Sequence, residues 1–350
     1  MKTDTQKLSF ASDYLEGAHP AILERLQETN FLKTQGYGLD PFSESARQKI
    51  RAACKCPKAE IHFLTGGTQA NATVIDALLN NYQGVLSSNQ GHISVHEAGA
   101  IELGGHKVLA LPNKEGKIDP AVLRQWLVDF ENDANHDHMV FPGMVYISHP
   151  TEFGTLYTLR ELEEISSICK SYNLPLYMDG ARLAYGLACA GNDVMLPDIA
   201  RLCDVFYIGG TKCGALFGEA VVITRSNLIP HFFTIVKQHG ALLAKGRITG
   251  LQFDTLFTND LYFRIGKTAI DASERIRTWL KENGYRFRYD SPTNQLFVIM
   301  DNDKLEKLGE SVEYSFWEKY DDAHTVIRFA TSWATADEDV DVLISTLHSI

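Results

Sequence analysis

Between Ile61 and about Arg225, short apolar runs alternate with stretches whose apolar residues recur at helical spacing, and this alternation restricts the fold more than any other feature. Runs that suggest strands fall at Val85–Ser87, Lys107–Leu111, Val145–Ser148, Leu176–Met178, Val205–Ile208 and Ala220–Thr224, with a further one beginning at Ile61. Leu159 to Lys170, between two of these runs, has the helical period. Strands separated by helices pair in parallel, because each helix returns the chain across the sheet and covers a face. The expected class is therefore α/β, a large three-layer domain with a mostly parallel sheet. At 350 residues the chain exceeds the size at which one core keeps growing, and its C-terminal part changes character. Gln295–Met300 and Val326–Ala330 read as strands with helices between and after them, and Thr335 to Glu338 reads as a capping box for the last helix. The stretch from Leu251 to Glu282 predicts a connecting helix with an interruption. The expected division is an irregular N-terminal arm over 1–20, a large domain over 21–250 and a smaller α+β domain over 251–350, with a helix starting after His19 and Pro20.

Three strand ends carry chemistry. Lys212 follows the Val205–Ile208 run and the turn-forming Gly209 and Gly210, at the carboxyl end of a strand, where open α/β sheets place ligands. A partly desolvated lysine there becomes a nucleophilic amine able to form a Schiff base, although most lysines are ordinary surface residues. Asp179 ends the Leu176–Met178 run and precedes Gly180. It either caps a helix or holds the ring nitrogen of a pyridoxal phosphate protonated, keeping the ring an electron sink. Upstream, the strand from Ile61 leads into Gly66, Gly67 and Thr68 and then a helix, whose free amides and dipole suit a phosphate.

In this order and spacing the motifs resemble those of the threonine aldolase and β-eliminating lyase family of fold-type-I pyridoxal phosphate enzymes. The resemblance covers nearly the whole chain: Phe10-Ala-Ser-Asp-Tyr, Tyr37-Gly-Leu-Asp-Pro, Gly66-Gly-Thr-Gln-Ala-Asn, His92-Ile-Ser-Val-His-Glu-Ala-Gly, Asp179-Gly-Ala-Arg-Leu, Gly210-Thr-Lys, and Arg328 ahead of Thr-Ser-Trp. It implies a pyridoxal 5′-phosphate cofactor bound by Gly66, Gly67, Thr68, His92, Asp179, Arg182, Thr211 and Lys212. It also implies that His92, five residues ahead of Glu97, stacks on the cofactor ring; His96 lies between them and lacks the match. On local sequence alone, His92 reads more readily as a structural or loop histidine than as a catalytic one. Ser12, Arg182 and Arg328 are the implied substrate-carboxylate contacts, since a guanidinium fork matches two oxygens; without the resemblance, Arg328 reads nearly as well as a solvated edge-strand residue.

The implied reaction cleaves a β-hydroxy-α-amino acid, threonine or allo-threonine, to glycine and an aldehyde. Alternatives are β-elimination or transamination of another amino acid, or a non-catalytic protein that only binds the cofactor. The pattern departs from the family at Thr151 and Glu152, where some relatives place a second histidine; His149 is out of register. A water, the phosphate, His92 or Glu152 could then take the hydroxyl proton. The resemblance also implies a homo-oligomer, dimer or tetramer, with Tyr37 and Lys245-Gly-Arg247 reaching a neighbour's cofactor or forming a solvated loop.

Composition adds exclusions. A formal net charge of −11 argues against general nucleic-acid binding, and the chain has neither the apolar span of a membrane helix nor the apolar core of a signal peptide at its start, so a cytoplasmic location is expected. Cys54, Cys56, Cys169, Cys189, Cys203 and Cys213 lack the paired spacing of a zinc site and read as reduced thiols, and no metal ligands are expected.

Overall fold

The computed structural model describes residues 7–350, so residues 1–6 of the expected arm lie outside the described residues. Seven strands form the main sheet: β1 (Glu60–Leu64), β2 (Gln83–Ser88), β3 (Val108–Leu111), β4 (Phe141–Ser148), β5 (Leu176–Asp179), β6 (Val205–Gly209) and β7 (Glu219–Ile223). Their spatial order is β1-β7-β6-β5-β4-β2-β3. All neighbours pair in parallel except β7, which runs antiparallel to both β1 and β6. Each sequence-read strand is present, β4 being longer than its apolar run suggested.

Side-chain alternation sorts this sheet into two cores. Leu86, Val145, Met178, Phe206 and Val222 face one hydrophobic cluster, while Val85, Tyr146, Tyr177, Tyr207 and Val221 face the other. The second face thus collects three tyrosines from adjacent strands. The helix α1 (Gly67–Leu78) packs Ala70, Val74 and Ile75 onto that face. The first face is covered by helices that include α2 (Leu159–Ser171), which starts with a reciprocal capping box between Thr158 and Glu161.

A smaller antiparallel sheet has the order β8 (Arg286–Phe287), β9 (Gln295–Asp301), β11 (His324–Ala330), β10 (Ser315–Lys319). Of these, β8 and β10 were not evident from the sequence, β8 being two residues long and β10 having no fully buried residue. The connecting stretch is interrupted as expected: one helix spans Arg247–Leu256 and a second, α3, spans Leu261–Glu282, with Asn259 and Asp260 at φ 51° and 57° between them. Residue 250 therefore falls inside the first of these helices. The helix α3 belongs to both cores, giving Leu261, Tyr262 and Ile265 to the large one and Ile276 and Leu280 to the small one. Gly266 permits this docking, since a Cβ there would collide with the Ala184 carbonyl.

The arm is less irregular than expected. Leu8–Ser9 pairs in parallel with Val312–Glu313, and Phe10 is buried in the small core, while the helix after His19 spans Pro20–Thr29. The capping box at Thr335 to Glu338 is corrected. The last helix spans Asp337–Ser349 behind Ala336, which cannot cap, because the Thr335 hydroxyl instead accepts the Ser332 N–H at 2.8 Å in the preceding turn. Acidic Asp337, Glu338 and Asp339 in the first turn complement the helix dipole.

Candidate active site

The carboxyl ends of β1, β2, β5 and β6 lie along one edge of the sheet and deliver Gly66, His92, Asp179 and Lys212 to it. Lys212 sits in the connection between β6 and the reversed β7, so the antiparallel strand is what keeps this loop at the edge. Three hydrogen bonds anchor the loop: the Tyr185 hydroxyl donates to the Lys212 carbonyl, and Glu219 accepts from the Gly210 N–H at 3.1 Å and the Thr211 hydroxyl at 2.8 Å. The Thr211 oxygen also accepts from the Gly218 N–H. Among the described residues the Lys212 ammonium makes no hydrogen bond. Burial, with the charge of Arg182 beside it, lowers its pKa against the opposing pull of Asp13, Asp179 and Glu219. Burial pushes the Glu219 carboxyl up to about 8. Cys213 next to the lysine is fully buried in the large core, its thiol pushed up to about 12 by burial.

Asp179 is buried in a cage of donors. It accepts from the Tyr207 hydroxyl at 2.5 Å, the Tyr146 hydroxyl at 2.7 Å, the Ala181 N–H at 3.0 Å and Asn71 Nδ2 at 3.1 Å. Burial alone would raise its pKa, but the neighbouring His92 and these phenols outweigh burial and hold it below the usual carboxylate value. A buried carboxylate kept anionic can stabilise a protonated ring nitrogen. The helix-cap alternative fails, because the next helix begins at Leu183 behind Arg182. Gly180 has no room for a side chain, since a Cβ would strike the Tyr207 carbonyl.

His92 opens a short helix after β2. Its Nδ1 lies 2.7 Å from Glu97 Oε1, and its backbone N–H donates to Glu152 Oε1 at 2.9 Å. Burial disfavours the imidazolium, but Glu97 and Asp179 overcome it and the pKa is raised. Glu152 also accepts from the Ser148 hydroxyl at 2.6 Å, and burial raises its pKa. His149 is completely buried, its ring accepting the Tyr157 N–H at 3.4 Å and its pKa lowered by burial to about 4. His96, set aside on sequence, is exposed with its ring 5.6 Å from that of His92.

Arginines mark the other end of the site. Arg182 forms a two-pronged pair with the buried Asp13, Nε to Oδ2 at 2.7 Å and Nη2 to Oδ1 at 3.0 Å, so only the remaining edge of its guanidinium faces elsewhere. Asn294 of the small domain also donates to Asp13 at 2.9 Å. Arg328 on β11 donates to Gln295 Oε1 at 3.0 Å and to the Ala11 carbonyl at 2.9 Å, with its guanidinium 5.9 Å from the Trp317 ring centre. It is not a solvated edge residue. Its Nε and the Ser12 hydroxyl are buried polar atoms without partners, and such atoms call for a ligand or water.

After β1, Gly66 caps α1 from extended backbone, and the first free amides of the helix belong to Gly67 and Thr68. A side chain at Gly67 would crowd the Tyr207 hydroxyl. The groups this site offers, helix amides for a phosphate, a buried anion for a ring N–H and a desolvated amine, match pyridoxal phosphate. Arg247 is committed to the Thr29 and Leu32 carbonyls. Sequence reasoning did not single out Asp13, Asn71, Tyr146, Tyr207 or Glu219; Asp13 and Asn71 stood inside quoted motifs, whereas nothing local marked the tyrosines.

The chain matches the β-eliminating lyase family model over residues 9–292. It is similar to the solved structure of a Leishmania major threonine aldolase, at 40% identity with a TM-score of 0.94, covering 97% of this chain and 98% of that one. A low specificity L-threonine aldolase from a Pseudomonas strain is 28% identical over 353 residues, 99% of this chain and 98% of that protein. An aspartate aminotransferase from Thermus thermophilus shares the fold, with a TM-score of 0.70 at 15% identity over 99% of this chain and 92% of that one. A lysine and an aspartate delivered by neighbouring parallel strands, within a match of this extent, place the chain in the threonine aldolase and β-eliminating lyase family of fold-type-I pyridoxal phosphate enzymes.

Proposed function

We propose that this protein is a pyridoxal phosphate-dependent aldehyde-lyase that cleaves threonine and allo-threonine to glycine and acetaldehyde. The observation that carries the reading is Lys212, at the end of the strand beside that of Asp179, its ammonium free of hydrogen bonds and its pKa lowered by burial against the pull of that caged anion. The likeness to named threonine aldolases supports retro-aldol cleavage over the other reactions of the cofactor.

In this reading the amides of Gly67 and Thr68 and the turn at Gly66 would hold the phosphate, His92 would cover the ring, Asp179 would hold its nitrogen, and Thr211 fixes the loop that carries Lys212. When bound, the cofactor withdraws the electron pair left on Cα as the Cα–Cβ bond breaks. The chain's own residues do the rest. Ser12, Arg328 and the free edge of Arg182 bind the substrate carboxylate and so orient the Cα–Cβ bond, which makes the clamp part of catalysis as well as of binding. Asp13 positions Arg182.

The reading includes a homo-oligomer, dimer or tetramer, and a cytoplasmic location. Exposed Phe31, Leu32, Tyr37 and Leu39 form an apolar segment suited to contact with another copy. No helix among the described residues is long and apolar enough to cross a membrane. We further propose the functional division into arm (1–20), large domain (21–250) and small domain (251–350), the arm closing the site against both.

The test is direct. The purified protein should show a visible absorption band that changes on adding threonine, with acetaldehyde and glycine released in equal amounts. Pyruvate and ammonia in their place would support β-elimination, and a band without turnover would support a binding protein. Arg328→Ala should keep the band while raising KM for threonine by roughly 10²-fold, the cost of a lost charge-assisted pair. An unchanged KM would remove Arg328 from the carboxylate site.

A further inference from the structure

Cleaving a β-hydroxy amino acid requires a base at the hydroxyl oxygen, and the residues near the site differ sharply in fitness for that task. His92 is held by Glu97, and its raised pKa favours the imidazolium, a poor acceptor. Glu152 is anchored by the His92 N–H and the Ser148 hydroxyl and is nearly sealed from solvent. His149 is fully buried, its pKa lowered by burial, and its Nδ1 already accepts the Tyr157 N–H.

His96 differs from all three. Its ring lines an open cavity of about 670 Å³ together with Phe153, Tyr289 and Trp317. It stands 5.6 Å from the His92 ring and 6.4 Å from the Trp317 ring, and Trp317 in turn stacks under Arg328 at 5.9 Å. The imidazole therefore lies between the ring-covering histidine and the carboxylate clamp, where a substrate held by both would carry its β-carbon. The adjoining aromatic walls, with Phe153 and Tyr289 stacked at 4.1 Å, give the β-substituent a place to lie.

From this placement we propose that His96 takes the proton of the substrate's β-hydroxyl, an inference that rests on the lyase reading above. The O–H bond breaks toward the imidazole, the C–O bond becomes the aldehyde carbonyl, and the Cα–Cβ electron pair stays with Cα. One proton later reaches Cα and His96 returns one to solvent, so the reaction balances without a co-reactant.

The electrostatics suit a base. Burial and the positive charges of His92, Arg328, Arg182 and Lys212 lower the His96 pKa below 6.5, leaving the ring neutral at pH 7. Glu115, Arg288 and Glu318 also line the cavity; the latter two pair at 2.6 Å.

The test compares wild type with His96→Asn and His96→Phe, each loaded with cofactor. Loss of a general base predicts a fall in kcat for threonine of roughly 10²- to 10³-fold with little change in KM. Exchange of the glycine α-proton with solvent, which needs no hydroxyl base, should stay within about 3-fold, and the acid limb of the wild-type kcat profile should disappear. Ring-proton NMR of the wild type should show His96 titrating below 6.5, at the midpoint of that limb. A variant kcat within about 3-fold of wild type overturns the proposal. So does an equal fall in cleavage and glycine exchange, or a His96 midpoint above 6.5. If wild type exchanges glycine but cleaves no threonine, the lyase reading falls and the role of His96 with it.

Discussion

Asp179→Asn is expected to lower threonine cleavage by roughly 10³-fold, because a unit charge about 4 Å from a cation is worth about 4 kcal/mol at an effective dielectric near 20. The loss should fall on kcat, since in the proposed reading the carboxylate would stabilise the electron-poor ring on which bond cleavage depends. The cage around Asp179 aggravates the change. Four donors now point at the carboxylate, and an asparagine would turn its own NH2 toward some of them, leaving buried donors unpaired at about 1–3 kcal/mol each. Single-turnover acetaldehyde release, read beside thermal unfolding, separates the two effects. Activity within about 10-fold of wild type would show that the buried anion is not what sustains the chemistry.

The second large effect is structural. Asp13→Ala should destabilise the protein by about 3–5 kcal/mol, the cost of leaving the buried Arg182 guanidinium without its counter-charge. Asp13 also accepts from Asn294, so the loss should loosen the small domain and the proposed carboxylate site together. The pH dependence has a definite sign. Arg182 and Lys212 outweigh burial and depress the Asp13 pKa from 3.8 to about 2, so its contribution is complete above the unfolded value and is lost as pH falls through the folded one. The gap in unfolding free energy between wild type and Asp13→Asn should therefore be constant above pH 4 and narrow below it. A gap that stays constant down to pH 2 would mean that the pair contributes nothing through charge.

These two residues illustrate what could be read along the chain and what could not. Asp179 and Lys212 were legible because each ends an apolar run beside a glycine, a local pattern tied to the carboxyl edge of a parallel sheet. The longer strands were legible for the same reason, whereas β8 and β10, which lack a buried run, were not. The failed capping box at Thr335 shows the limit of local signals, since its hydroxyl had a better use in the preceding turn.

What the sequence alone determined was the alternating α/β architecture, the two layers of core and the strand ends that carry the lysine, the aspartate and the glycine turn. Periodicity and turn chemistry act over a few residues, and those are written in consecutive letters. Only the tertiary structure decided that Arg182 is gripped by Asp13, 169 residues away, that Arg328 is held by the Ala11 carbonyl across 317 residues, that the Tyr146 and Tyr207 hydroxyls converge on Asp179, and that His96 stands between His92 and Trp317. Such partnerships depend on which strands become neighbours and which faces they share, and no spacing along the chain encodes the order in which a sheet assembles.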